Sequence, residues 1–303
     1  MLTRYNLQNA KTILNKSEPD DEDPFIGTVN PYTGCEHRCQ YCYVQSEKYQ
    51  PYKNKADFFY TIGIKQNAQS LLEEQFSKGL PYGMISIGSS SDPYQPAEKE
   101  HKITRKILET TNKFGYPVNI FTKSDMIMRD LDLLKSIADK SFAVVSVSMI
   151  TLDVKTCEIF EQAAPPTQKR LEMMKELNKN GIVTGCSLMP VLPYITDSAE
   201  NLDKLIEGVK KHGGRYVWEG CLTLRDNQYK KYREVLLKDY PGLLQKYNKL
   251  YGSRISPSYD YRNNLHKTIN GLIKKYGLHS GLSFITKDKR WGKGLTPVQL
   301  DLI

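Results

Sequence analysis

Three cysteines, Cys35, Cys39 and Cys42, fall within eight residues in the segment Asn30-Pro31-Tyr32-Thr33-Gly34-Cys35-Glu36-His37-Arg38-Cys39-Gln40-Tyr41-Cys42-Tyr43. The spacing C-x3-C-x2-C lets three thiolates wrap a cube-shaped [4Fe–4S] cluster from one side, each ligating one iron and leaving the fourth iron without a protein ligand. Pro31 and Gly34 suit a tight entry to such a loop. An open iron can bind a small molecule through an amine and a carboxylate. A structural zinc site is the competing arrangement and wants four ligands. His37 as the fourth would give a cramped C-x-H-x-C spacing with Cys35 and Cys39. A metal-free cysteine cluster fits poorly, because the polar Glu36, His37, Arg38 and Gln40 lie between the thiols. The other cysteines, Cys157, Cys186 and Cys221, are isolated in or beside apolar stretches, and the last two read as small buried hydrophobes. Three disulfides are not expected in a large chain without an export signal.

The elements that must position this loop follow from the rest of the chain. Its 303 residues are 39% hydrophobic and 25% charged, which excludes general disorder and a coiled coil. The longest nearly apolar run, Ser141–Ile150, is far short of the ~20 residues of a membrane helix, and the N-terminus has no apolar signal core. A cytoplasmic protein with no membrane contact is expected. Short β-rich runs, Phe25–Asn30, Met84–Gly88, Val118–Thr122, Ala143–Ser148, Ile182–Leu188 and Arg215–Trp218, alternate with amphipathic helical stretches. In one of these, Leu202, Leu205, Ile206 and Val209 share a helical face, Asp197 with Glu200 resembles a capping box, and Gly213 can end the helix. Six strands separated by helices imply a parallel sheet with right-handed crossovers. The chain after Trp218 reads as helical and supplies no further βα units. The expected fold is therefore α/β, a partial (β/α)6 barrel at 25–224 with a basic helical extension at 225–290. A lead-in at 1–24, polar at Asp20–Asp23, and a tail at 291–303 flank it. Chemistry in parallel α/β folds gathers at the C-terminal ends of the strands. The cysteine loop, Gly88-Ser89-Ser90-Ser91-Asp92, Thr122-Lys123-Ser124, Ser148, Met189-Pro190 and Glu219 all fall on that expected rim.

Cysteines spaced C-x3-C-x2-C after the first strand of a six-unit βα chain, with Tyr41 before the third cysteine, resemble the radical S-adenosylmethionine (radical SAM) superfamily. The pieces NPYTGCEHRCQYCY, GSSSDPYQPAEKEHKITR, FTKS, RLEMMKELNKNGIVTGCSLMPVLPYITD and LRDNQYKKYREVLLKDYPGLLQKY resemble its spore photoproduct lyase-like branch, often labelled DNA repair photolyase-like; the likeness covers about residues 25–280. This resemblance implies a [4Fe–4S] cluster on Cys35, Cys39 and Cys42 and S-adenosyl-L-methionine chelated to the open iron. One electron from an external donor would then release a 5′-deoxyadenosyl radical that takes a hydrogen atom from the substrate. It also implies that Tyr41 lies against the adenine, that Ser91 helps hold the methionine end, that Lys123 pairs with the cofactor carboxylate, and that Ser148 meets the ribose hydroxyls. The alternatives are backbone capping for Ser91 and Ser148 and a solvent-facing loop lysine for Lys123. Tyr43 matches a tyrosine associated with radical relay in the lyase; packing beside the loop is its alternative role. Ser89 stands where the lyase has a hydrogen-donating cysteine. A serine O–H bond is far too strong for that step, so the lyase's own reaction does not carry over.

From Arg225 to the end there are 16 Lys+Arg against 6 Asp+Glu, a surplus of +10, while residues 1–224 sum to −1, for a net charge of +9. Such asymmetry points to a polyanion such as nucleic acid, or to a solvated lysine-rich surface. The 20 tyrosines offer rings on which bases can stack. The tail Gln299–Ile303 resembles the short peptide with which bacterial proteins bind the replication sliding clamp, an unstructured segment with hydrophobic anchors. Two other classes of function remain at this stage: a radical SAM enzyme acting on a peptide or small metabolite, and a non-catalytic metal-binding module.

Overall fold

Segments such as Val118–Thr122 and Ala143–Ser148 are short, β-branched and almost wholly apolar, the composition of strands covered on both faces. The computed structural model of the protein describes residues 2–19, 24–53 and 57–292; Asp20–Asp23 and Gln299–Ile303 lie outside the described residues. The described strands are β1 (Arg4–Gln8), β2 (Leu14–Lys16), β3 (Phe25–Val29), β4 (Tyr32–Thr33), β5 (Thr61–Lys65), β6 (Met84–Ile87), β7 (Val118–Thr122), β8 (Ala143–Ser148), β9 (Val183–Val191), β10 (Tyr216–Cys221) and β11 (His279–Ser280). The large sheet has the order β11-β10-β9-β8-β7-β6-β3-β2. Its six central strands, β3 and β6 to β10, are parallel and are those expected from the sequence. The outermost strands β2 and β11 do not pair with each other, so the barrel is partial and open.

Helices cover the sheet. Leu171, Met174 and Leu177 of the helix Thr167–Lys179 share one buried core with Leu202, Leu205, Ile206 and Val209 of the helix Ala199–Lys211 and with Ile120, Val145 and Leu188 of the strands. The start of the latter helix differs from expectation. Ser198, not Asp197, is the N-cap, and its hydroxyl accepts from the Asn201 N–H at 3.2 Å. Asp197 is one residue too early to reach that amide and instead accepts the Tyr261 hydroxyl at 2.6 Å.

That contact ties in the C-terminal extension. The helix Tyr259–Lys275 joins the main core through Leu265, Ile269 and Ile273. The helices Asp226–Asp239 and Leu244–Tyr251 form a second apolar cluster in which Tyr232, Leu236, Tyr247 and Tyr251 meet Tyr41 and Phe160. The N-terminal segment also holds structure that its polar sequence conceals. β1 pairs in parallel with β5, which pairs on its other side with β4, and β2 is the antiparallel edge of the large sheet. Arg4–Gln8 is mostly exposed, so backbone pairing and polar contacts hold it, including Tyr5 donating to Glu36 at 2.8 Å. No helix among the described residues is long and apolar enough to cross a membrane.

Removing the Tyr261 hydroxyl breaks a hydrogen bond to a carboxylate, a class worth about 1.5–3 kcal/mol. Tyr261→Phe is expected to lower unfolding stability by about that amount in urea denaturation, and Asp197→Asn, which keeps an acceptor, by less.

Candidate active site at the rim of the sheet

The chain leaves β3 and runs through β4 directly into the cysteine loop. Two sides grip the loop. On one, the Cys35 N–H donates to the Phe58 carbonyl at 3.0 Å, next to β5. On the other, the Gln40 N–H donates to Phe160 O at 2.8 Å, the Ala163 N–H donates to His37 O at 3.2 Å, and Cys39 bridges to Glu161. Gly34 must be glycine: its φ is +84°, and a Cβ there would stand 2.5 Å from Thr61 O. Gly88 turns β6 into the serine run with φ +92°, and a Cβ there would meet Pro93 at 2.5 Å.

A cavity of about 380 Å³ opens at this rim, and it is lined by all three loop cysteines, Tyr41, Tyr43, Ser89, Ser91, Lys123 and Ser148. The residues singled out in the sequence therefore come together. Burial pushes the Cys42 thiol up to about 12, with a further push from Cys39, and raises Cys35 and Cys39 as well. A solvent-facing Lys123 is overturned, because its side chain is only 14% exposed. Its ammonium lies 4.0 Å from Glu161 and 5.9 Å from the centre of the Tyr41 ring. Burial works against that charge, but Cys39 and Glu161 outweigh it and hold Lys123 above the ordinary lysine range.

Three buried residues to which the sequence assigned no role, Glu161, Arg170 and Asp92, organise the site. Glu161, with no exposed side-chain surface, accepts the Tyr41 hydroxyl and pairs with Arg170 at 2.6 Å. Burial raises this carboxyl, yet Arg170 and Lys123 hold it below the usual range. Arg170 also donates to the Ser148 carbonyl at 2.9 Å. Asp92 accepts from Thr122 Oγ1 at 2.7 Å and from the Lys123 N–H at 2.8 Å, which locks the loop after β6 onto the end of β7. Burial opposes its charge, but His37 at 3.2 Å and these donors bring it down to about 2. Glu161 and Asp92 carry no local signal in the sequence; their roles rest on contacts with distant segments.

The individual side chains are placed as follows. The Ser91 hydroxyl donates to Tyr32 O at 3.1 Å, so it also has the backbone-capping role. Tyr43 is 40% exposed, donates to Ser89 O at 2.8 Å, and meets Tyr49 edge-on at 5.2 Å. The Ser89 hydroxyl is engaged with Asn30. Cys186 is buried as expected, but Cys221 is only partly buried and lines the cavity. Its sequence neighbours are apolar and carry no sign that β10 ends at the cavity wall.

The donor set fits an iron–sulfur cluster better than zinc. The three thiols line one shared cavity, whereas His37, the only fourth zinc ligand the spacing offered, is turned to Asp92. Among the described residues no three ligand-type side chains are grouped closely enough to hold a single metal ion.

Comparison with known proteins agrees with this geometry. The family model of the Radical SAM superfamily matches residues 29–206, and the chain belongs to that superfamily. An uncharacterized protein of Mycobacterium tuberculosis is 30% identical over 273 residues, covering 89% of this chain and 80% of that one. Among solved structures, a cysteine-to-serine mutant of spore photoproduct lyase matches with a TM-score of 0.67 at 14% identity, over 90% of this chain and 79% of the other. A second mutant of the lyase, with bound AdoMet and dinucleoside spore photoproduct, matches with a TM-score of 0.66 at 13% identity over the same shares. The fold is thus that of the spore photoproduct lyase-like branch.

Arg170 neutralises a carboxylate that cannot reach water. Arg170→Met is expected to cost about 3–5 kcal/mol in chemical denaturation, the range for breaking one side of a buried pair. Arg170→Met with Glu161→Met should recover part of that loss.

Proposed function

We propose that this radical SAM enzyme binds a [4Fe–4S] cluster through Cys35, Cys39 and Cys42 and takes a hydrogen atom from a nucleotide-containing substrate. The observation that carries the first part is the shared cavity, in which the three thiols, Lys123 and the aromatic wall of Tyr41 converge. When bound, the cluster and S-adenosyl-L-methionine supply one-electron cleavage of a sulfonium C–S bond, which yields a 5′-deoxyadenosyl radical. The protein's own residues do the positioning. The Lys123 ammonium, kept charged at the cavity wall, pairs with the cofactor carboxylate. Glu161 fixes the Tyr41 ring, against which the adenine rests. Ser91 and Ser148, at the ends of β6 and β8, offer hydroxyl oxygens to the methionine end and the ribose. Tyr43 stands at the mouth as a candidate for radical relay. An external one-electron donor is required, and turnover needs a water-poor, oxygen-free site.

A nucleic-acid substrate is supported by the basic extension and by the dinucleoside bound in the lyase neighbour. With Ser89 in place of a thiol, this chain's reaction differs from the lyase's in its hydrogen-return step. Binding to a sliding clamp through Gln299–Ile303 belongs to the same proposal; deletion of those five residues should abolish clamp pull-down.

Anaerobic reconstitution is expected to load about four irons and four sulfides per chain. Electron paramagnetic resonance of the reduced cluster should shift when S-adenosyl-L-methionine is added, and deoxyadenosine should accumulate. Cys39→Ala should abolish both the cubane and deoxyadenosine; retained turnover in that variant would refute the loop's assignment. Lys123→Ala should keep the cluster but weaken cofactor binding at least about tenfold, ~1.4 kcal/mol.

A further inference from the structure

A second cavity, of about 320 Å³, lies in the helical extension and is lined by Arg225, Tyr229, Asn248, Tyr251, Ser253 and Arg254 among others. Among the described residues Arg38, Arg215, Arg233 and Arg262, like the two arginines here, face no carboxylate within 4.0 Å. Arg105, Arg129 and Arg170 each pair with a carboxylate at 3.0 Å or less. Among the described residues, neither Arg225 nor Arg254 has a carboxylate within 4.0 Å. Arg254 Nη2 donates only to the Leu250 carbonyl, at 3.1 Å. The single acid lining this cavity, Asp226, is turned toward the cysteine-loop side, where its Oδ1 accepts from the Glu47 N–H at 2.9 Å. The aromatic lining includes Tyr247 and Tyr251, stacked at 5.8 Å, whose hydroxyls are spent on the Pro193 and Leu222 carbonyls. Two guanidiniums with no carboxylate partner, beside the half-buried ring of Tyr229, match an anion carried next to a flat ring.

The cavity is also placed for the chemistry. Leu222 and Thr223 line the cluster cavity, and Leu224 and Arg225 line the second. Likewise Gln228 faces the first and Tyr229 the second. One stretch of chain is the wall between them, and Leu222 to Arg225 spans no more than about 11 Å, three Cα steps. A ligand of a few linked nucleotides can reach both.

We infer that this second cavity binds a phosphate of the substrate, through Arg225 and Arg254, while a neighbouring nucleotide occupies the cluster cavity. This rests on the nucleotide reading of the function and locates the anion that the reading requires. The phosphate belongs either to a nucleic-acid strand or to a free nucleotide.

The test uses the full chain with its cluster reconstituted anaerobically. Fluorescence anisotropy follows labelled single-stranded DNA and RNA oligonucleotides across a salt series, with a mononucleotide as competitor. Arg225→Gln with Arg254→Gln is expected to weaken binding at least tenfold and to flatten the slope of log K against log salt by about 0.7, the contribution of one phosphate on a single strand. Lys230→Gln with Lys238→Gln, which removes the same charge from exposed positions outside the cavity, should change binding much less. Displacement by the mononucleotide at concentrations matching its own affinity assigns the phosphate to a free nucleotide; displacement only by unlabelled strand assigns it to nucleic acid. An arginine variant that binds as the wild type does, or no better and no worse than the lysine variant, overturns the inference. So does a wild type that binds neither ligand at low salt. Substrate-independent deoxyadenosine formation, measured in the same samples, should be equal in wild type and arginine variant. Its absence from wild type would instead count against the radical SAM activity itself.

Discussion

Burying a carboxylate costs several kcal/mol unless opposite charge and hydrogen bonds meet it where it stands, and Glu161 is buried completely. Glu161 and its partners come from four separate segments. Tyr41 belongs to the cysteine loop, Lys123 follows β7, Arg170 lies in the helix Thr167–Lys179, and Glu161 itself follows the helix Val154–Phe160. The charge is satisfied only when all four segments are docked together. The position of the cysteine loop relative to the sheet is therefore coupled to the folding of the barrel, and the loop is more than a flexible appendage that a metal could order alone.

Asp92 repeats this logic one strand away. It gathers His37 from between the cysteines, the hydroxyl of Thr122 and the amide of Lys123. The two buried acids thus hold the loop, the serine run and the lysine in register from opposite sides. The extension closes the arrangement: Gln228 Nε2 donates to the Tyr41 carbonyl at 2.9 Å, and Asn227 donates to Glu47. The helix Asp226–Asp239 is consequently part of the wall of the cavity, through Gln228.

Much of this was legible in the residue order. The six parallel strands were recognisable because strands covered on both faces need apolar, β-branched runs, and few other elements tolerate them. Other parts were not. Arg4–Gln8 alternates Tyr5 and Leu7 with polar residues but buries neither, because its stability comes from backbone pairing with β5, which leaves little mark on side-chain type. His37 was the fourth zinc ligand within reach in the loop, though its spacing was cramped, and its approach to Asp92 turns it away from that role. Asp197 looked like a cap, but the serine after it was better placed to reach the amide, which released the acid to bind Tyr261.

The sequence by itself determined the superfamily, since three thiols recurring at short, definite intervals are a local pattern that survives in the residue order. It also determined the order of strands and helices, since periodicity is a local property. Only the tertiary structure decided which acid faces which cation, where the cavities open, and which arginines face no carboxylate among the described residues. Those outcomes depend on contacts between residues far apart in the chain, such as Glu161 with Tyr41, and on the desolvation that such contacts impose.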